Sequence, residues 1–162
     1  MEIRQATMAD IPVLVALNRI VHTMHVEAFP GTFRRDPPDE VVSGAFKAAM
    51  ESPTSYWLLA EEERAVGFLS ADFRQRGETW HMMAHRVCYI GAVVVEAGCR
   101  RKGIARALLA KLKDEARSRE VTRIELDVWA FNVEARRAFA SLGFRPVMER
   151  MALPVERENH GF

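Results

Sequence analysis

The chain has 162 residues, a length that fits one domain and can bury a core without staples. Its apolar fraction of 49% and charged fraction of 28% are ordinary for a globular protein. A net charge of +1 excludes nucleic-acid binding through bulk charge, so any working positive field must be local.

Ile3 to Ala6 reads as a short first strand. Thr7 or Asp10 then offers a helix N-cap, and Ile11, Leu14, Val15, Asn18, Val21 and Met24 follow at near-helical spacing. Phe29-Pro30-Gly31-Thr32-Phe33 breaks that pattern as a loop. Asp36-Pro37 presents a second cap, with proline at the first helical position, opening a helix to about Met50. Tyr56–Ala60 and Ala65–Phe73, joined by the polar turn Glu61–Arg64, read as a hairpin, and Val87–Val95 returns as a further strand. Ile104, Ala105, Leu108, Leu109, Leu112 and Ala116 mark the clearest helix. Thr122–Trp129 alternates like a strand. Asn132 caps a last helix ending at Gly143, and Phe144–Leu153 returns as extended chain.

The expected order is β-α-α-β-β-β-α-β-α-β. That describes an α/β (α+β) protein with a central mixed, mostly antiparallel sheet flanked by helices. Residues 1–153 form a single expected domain and 154–162 a polar tail. No run approaches the ~18 apolar residues of a membrane span, and Met1-Glu2-Ile3-Arg4 has no signal-peptide core. A cytoplasmic protein without membrane or nucleic-acid partners is expected. Cys88 and Cys99 have neither disulfide-framework nor metal-ligand spacing, so reduced thiols and no metal are expected.

Chemistry concentrates between Ile90 and Ala110, which reads strand, basic glycine turn, helix. First-turn N–H groups of a helix have no internal partner and attract anions. Gly103 and Ala105 are small enough for a phosphate to approach the main chain. Six basic residues (Arg100, Arg101, Lys102, Arg106, Lys111, Lys113) lie between Arg100 and Lys113 with no acid among them. A Walker loop would need Gly-Lys-Ser/Thr and a dinucleotide fingerprint three spaced glycines, and neither is present. The plain alternative is a solvated amphipathic helix behind an ordinary loop.

Arg100-x-x-Gly103-x-Ala105 resembles the Gln/Arg-x-x-Gly-x-Gly/Ala signature of the GNAT family of N-acetyltransferases. Tyr89–Val95 resembles the family's fourth strand, and Asn132-x-x-Ala135 with Gly143-Phe144 resembles its Asn-x-x-Ala…Gly-Phe segment. The stretch His22…His25…Phe29-Pro30…Phe33 resembles one branch of small-molecule and protein N-acetyltransferases. The resemblance implies acetyl-CoA as co-substrate. The main chain of Val93, Val94 and Val95 would pair with pantetheine like an added strand. The N–H groups of Arg101, Lys102, Gly103, Ile104, Ala105 and Arg106 would hold the pyrophosphate beside Arg100. Asn132 would bond pantetheine near the thioester, or serve only as a helix cap. Phe139 falls in the cofactor-side helix. A small-molecule amine or peptide would accept the acetyl group, and dimers are common in that family.

Two family side chains are absent. Phe139 stands where a tyrosine commonly donates a proton to the departing thiolate, and Gly91 at or near the position of a glutamate base. A thiol of pKa near 8.5 leaves without much help, but a lysine-like amine of pKa near 10.4 is under about 0.1% neutral at pH 7. A base or water relay is therefore expected. The candidates are His22, His25 and Tyr89, with Glu125 and Asp127 also available though they read more simply as sheet-surface charges. Trp80, Trp129, Phe29 and Phe33 would line an acceptor pocket or simply pack. The competing functional reading is a degenerate module of the same fold that binds CoA without turnover.

Overall fold

In the computed structural model, residues 1–153 and Val155 are described, so the expected tail lies outside the described residues except for Val155. The strands are β1 (Glu2–Gln5), β2 (Ser55–Glu61), β3 (Ala65–Arg76), β4 (His85–Val95) and β5 (Ile124–Leu126). The helices are α1 (Ile11–Ala28), α2 (Asp39–Met50), α3 (Ile104–Ser118) and α4 (Val133–Ser141), with 3-10 turns at Met8–Asp10 and Ala97–Cys99. One sheet runs in the order β1-β2-β3-β4-β5, antiparallel throughout except for the parallel β4–β5 pair. The mixed, mostly antiparallel sheet is as expected.

The described chain divides into two compact units. One holds residues 1–22 and 37–127, the other residues 23–36 and the described residues from 128 onward.

The first unit contains the sheet. Period-two alternation sends Leu59, Phe68 and Val94 to one face, where they bury with Leu14, Leu17 and Trp57; Phe46 and Met50 of α2 pack against them. Leu58 and Leu69 point to the opposite face. There α3 packs with Ile104, Leu108, Leu109, Leu112 and Ala116, spaced to form one buried stripe. Cys88 is fully buried, and desolvation pushes its thiol up to about 12. Both cysteines are free, as expected, and Cys99 is also buried.

Around the start of α1, Asp10 accepts from the Thr7 backbone N–H at 2.7 Å and from both terminal nitrogens of Arg4 at 2.7 and 2.9 Å. Arg4 also donates to Glu61 at 2.8 and 2.9 Å, clamping β1 to β2 and to the helix entry. The Arg4 guanidinium, outweighing partial desolvation, holds the Asp10 carboxyl well below the usual carboxylate range. A depressed pKa contributes stability above the unfolded value and loses it as pH falls toward the folded one. Asp10→Asn is therefore expected to lower Tm by about 2–4 °C at pH 7, for roughly 1 kcal/mol in a chain this size. Below about pH 4, near the unfolded carboxylate value, the gap to wild type should shrink steadily. Melting curves from pH 2 to 7 read this directly.

Three departures from the sequence expectation have a plain physical cause. The second helix begins at Asp39, not Pro37. Pro37 precedes Pro38 and is steered to extended backbone, so Pro38 becomes the cap and its carbonyl accepts from Val41 and Val42. The last-but-one strand covers only Ile124–Leu126, because its partner β4 bulges immediately beyond Ile90. Among the described residues, no strand forms between Phe144 and Leu153. Pro146 lacks a ladder donor, and Val147-Met148 followed by Glu149-Arg150 breaks the alternation a half-buried strand needs.

In the second unit, Phe29, Phe33, Trp129, Phe131 and His25 form an aromatic cluster. His25 stacks on Phe33 at 5.0 Å and meets Phe131 edge-on at 5.9 Å, while Phe29 lies 5.2 Å from both Trp129 and Phe131. α4 opens on Asn132, whose Oδ1 accepts from Ala135 N–H at 3.0 Å. It closes on Gly143 at φ +97°, with Gly143 N–H bonding Ala140 and Phe144 N–H bonding Phe139. This is the αL termination glycine permits, with the usual apolar contact across it: the Phe139 and Phe144 rings meet edge to face at 5.7 Å.

Candidate functional site

The site in the first unit begins with a defect in β4. Ser70 of β3 pairs with Ala92 and Ala71 pairs with Ile90, so Gly91 is an extra residue without an opposite number. The bulge reverses which way the main chain faces. Before it, Cys88 N–H bonds Arg123 on the β5 side; beyond it, Glu96 N–H bonds Val66 on the β3 side. With alternation, Val94 shares the β3-facing sense of Glu96, and Val93 and Val95 turn their N–H and C=O to the other edge. There β5 pairs only with Cys88, Tyr89 and Ile90. Among the described residues, the β4 edge beyond Gly91 is open to an added strand.

β4 then runs into the basic turn at residues 96–103. Close packing guides it: a Cβ on Gly67 would lie 2.6 Å from the Val94 carbonyl oxygen and 3.5 Å from Ile104, so only glycine lets β3, β4 and the start of α3 meet. Glu96 leads into the Ala97–Cys99 turn, pairs with Arg64 and takes a contact from Cys99 Sγ at 3.8 Å. Its hydrogen bond from Arg64 depresses its carboxyl. Arg100 is extended, and Arg101 (φ +63°) and Gly103 (φ +84°) are left-handed. Gly103 caps α3 without a side chain, leaving the N–H groups of Ile104, Ala105 and Arg106 at the helix start without a side-chain cap. Ile104 is buried and anchors the turn, while Arg100, Arg101, Lys102 and Arg106 are exposed. Among the described residues, Arg101, Lys102, Arg106, Lys111 and Lys113 form no ion pair. Their charge is thus not neutralised internally.

The structure thus brings Val93, Val94, Val95 and residues 100–106 together on one edge and one turn of the first unit. Asn132 and Phe139 lie in the second unit, the first as a cap and the second in the α4 terminus. His22 belongs to α1 in the first unit; His25 is packed among the aromatic rings of the second, with Trp129, Phe29 and Phe33. Trp80 is almost fully exposed, its ring tilted at 50° to that of His81 with centroids 4.6 Å apart. Glu125 lies 2.7 Å from Arg123 and 3.8 Å from Arg76, a sheet-surface charge. Tyr89 and Asp127 are joined, the hydroxyl donating to Oδ2 at 2.9 Å, and the Arg74 guanidinium stands 4.1 Å above the tyrosine ring. Sequence reading passed over Gly67 and Ser70, whose only signal is a small residue inside an otherwise bulky apolar strand. No group of three or more His, Cys, Asp or Glu among the described residues could hold a metal.

A bulged strand with an open edge, feeding a basic turn and an uncapped helix, defines a mixed-sheet α/β protein built around a basic strand–turn–helix crossover. The model of the Acetyltransferase (GNAT) family matches residues 18–144, and the chain belongs to that family. A tetramutant of the BH1408 protein of Bacillus halodurans is 29% identical, covers 96% of this chain and 100% of its own, and superposes with a TM-score of 0.90. An apo aminoglycoside 6′-N-acetyltransferase of Acinetobacter haemolyticus (18% identity, 98% and 100% coverage, TM-score 0.76) has the same fold. So does a protein of Clostridium acetobutylicum described as a predicted acetyltransferase and solved with acetyl-CoA (22%, 98% and 99%, TM-score 0.70). No curated protein matches the chain. No helix among the described residues is long and apolar enough to cross a membrane.

Proposed function

We propose that this chain transfers the acetyl group of acetyl-CoA to a primary amine of a small molecule or peptide, by direct attack in a ternary complex. The observation that carries the reading is the open β4 edge at Val93–Val95 running without interruption into the turn at Arg100–Arg106. An amide-bearing pantetheine arm fits an unpaired strand edge, and a pyrophosphate fits uncapped N–H groups beside Arg101, Lys102 and Arg106. A covalent route through cysteine has no support: Cys99 is buried in the turn, and burial keeps the Cys88 thiol protonated. The two solved structures whose names specify N-acetylation or acetyl-CoA support the chemistry. A cytoplasmic, dimer-forming enzyme is part of the same proposal.

A second reading is a CoA-binding module without turnover. Gly91 and Phe139 favour it, since the first offers no side chain and the second spends its ring on the α4 terminus. Release of free thiol from acetyl-CoA in the presence of alkylamines, peptides and polyamines separates the two. Amine-dependent release is expected. Saturable CoA binding with no release on any acceptor would establish the second reading instead.

A further inference from the structure

Where β4 and β5 part, three polar groups gather on one sheet face. Ser70 and Asp72 share that face of β3, and Asp72 lies opposite Tyr89. A Cβ on Gly91 would come 3.2 Å from Ser70 Oγ, so the missing side chain of the bulge belongs to this face too. Tyr89 is paired with Glu125, yet its hydroxyl reaches Asp127, two residues further along the parallel neighbour. The phenol therefore leans toward the carboxyl ends of the strands, level with Gly91. Ser70 is only 9% exposed, the single buried polar side chain among the described residues. A hydroxyl 3.2 Å from where a Gly91 Cβ would stand is placed to meet a group seated over the bulge.

We infer that Tyr89, Asp127 and Ser70 form the proton-handling site of the acetyl transfer, which rests on the reading of the chain as an acetyltransferase. A pantetheine arm running from the turn along Val95 and Val93 brings its sulfur end to the level of Gly91. The acceptor is an alkylamine whose nitrogen sits over the bulge, with Ser70 Oγ accepting from one of its hydrogens. Bound as the ammonium, the nitrogen passes one proton to Tyr89 Oη while the phenolic proton passes to Asp127 Oδ2, and the freed lone pair then forms the C–N bond to the thioester carbonyl. The C–S bond breaks, its electron pair leaving with the thiolate, which takes the proton the new amide nitrogen sheds, and Asp127 returns its own proton to water. No oxidant or further reactant is required. Tyr89 is held for this by Arg74 above its ring, itself fixed by Asp72 at 2.9 Å, and Glu125 on the same strand pair is neutralised by Arg123 and Arg76. Asp127 acts through Tyr89 and is a positioning residue.

The test compares wild type with Tyr89→Phe, Asp127→Asn and Ser70→Ala, using free CoA binding by calorimetry as the control for fold and cofactor site. CoA affinity should stay within about threefold of wild type, a change of under roughly 0.7 kcal/mol. Turnover of a strongly basic alkylamine should fall roughly 100-fold in Tyr89→Phe and Asp127→Asn, and less in Ser70→Ala. Weakly basic acceptors such as hydroxylamine, which need no base, should recover most of that loss. Without turnover, in the dead-end complex with free CoA, Asp127→Asn should weaken alkylammonium binding by about tenfold. Equal slowing of basic and weakly basic amines, or unchanged turnover in Tyr89→Phe, overturns the relay but leaves acetyl transfer standing. Absence of turnover in the wild type removes both.

Discussion

Exchanging Arg100 and Gly103 together for glutamate is expected to lower CoA affinity by about 100-fold or more, the equivalent of losing one or two charge-assisted hydrogen bonds. Arg100 stands at the entrance to the turn, and Gly103 caps α3 with its N–H side bare. Two carboxylates there would meet the pyrophosphate with like charge at the helix start that should attract it. The fold should survive. Nothing lies within 4 Å of a Cβ at Gly103, so the cost is the left-handed φ of +84°, about 1–2 kcal/mol for a residue with a side chain. Gly103→Ala carries the same strain without charge and separates the two effects. It is expected to lose less than about tenfold in affinity, since it forfeits no hydrogen bond to a charged group.

The second large effect is structural and lies one strand away. Gly67→Val places a side chain 2.6 Å from the Val94 carbonyl oxygen, a backbone atom that cannot rotate aside. Either β4 moves or the β3–β4 ladder opens, and overpacking of this kind costs about 1–3 kcal/mol. In a chain of this length Tm should fall by roughly 3–10 °C. The displacement also reaches the function, since Val94 lies between the two residues whose main chain faces the open edge, and Ile104 starts the helix. Weaker CoA binding is therefore expected together with the lower Tm, and calorimetry beside a melting curve reads both. A variant that melts lower but binds CoA as wild type would show that the β4 edge is not part of the site.

Much of this arrangement could be read from the residues. The turn from Arg100 to Ala105 was legible because a glycine, three adjacent basic residues and an amphipathic run occur at the spacing a strand–turn–helix needs. Asn132 and Gly143 were legible as the two ends of α4 because capping chemistry is local. The bulge at Gly91 was not. Its sequence signature is one glycine in an apolar strand, and only the register against Ser70 and Ala71 shows that main-chain facing reverses there. The bond from Tyr89 to Asp127 was equally hidden, because it joins residues 38 apart through a two-residue lean across parallel strands. The failure of Phe144–Leu153 to form a strand has a local cause in Pro146. Apolar content alone suggested extension and said nothing about pairing. Phe139 carries a further lesson. Its ring completes the glycine terminus of α4 against Phe144, so a packing role accounts for its identity.

The most direct measurement of the central claim is the thermal stability of the wild-type chain titrated with CoA and, in parallel, with pantetheine lacking the nucleotide and pyrophosphate. Binding to the folded state alone stabilises by about 2.7 kcal/mol at one hundred times Kd, or roughly 5–10 °C in a chain of this size. A saturable rise of that order with CoA, and a much smaller one with pantetheine at equal concentration, is the expected result. No shift with CoA at millimolar concentration, or equal shifts with both ligands, would contradict the assignment of the strand edge and basic turn as one continuous site.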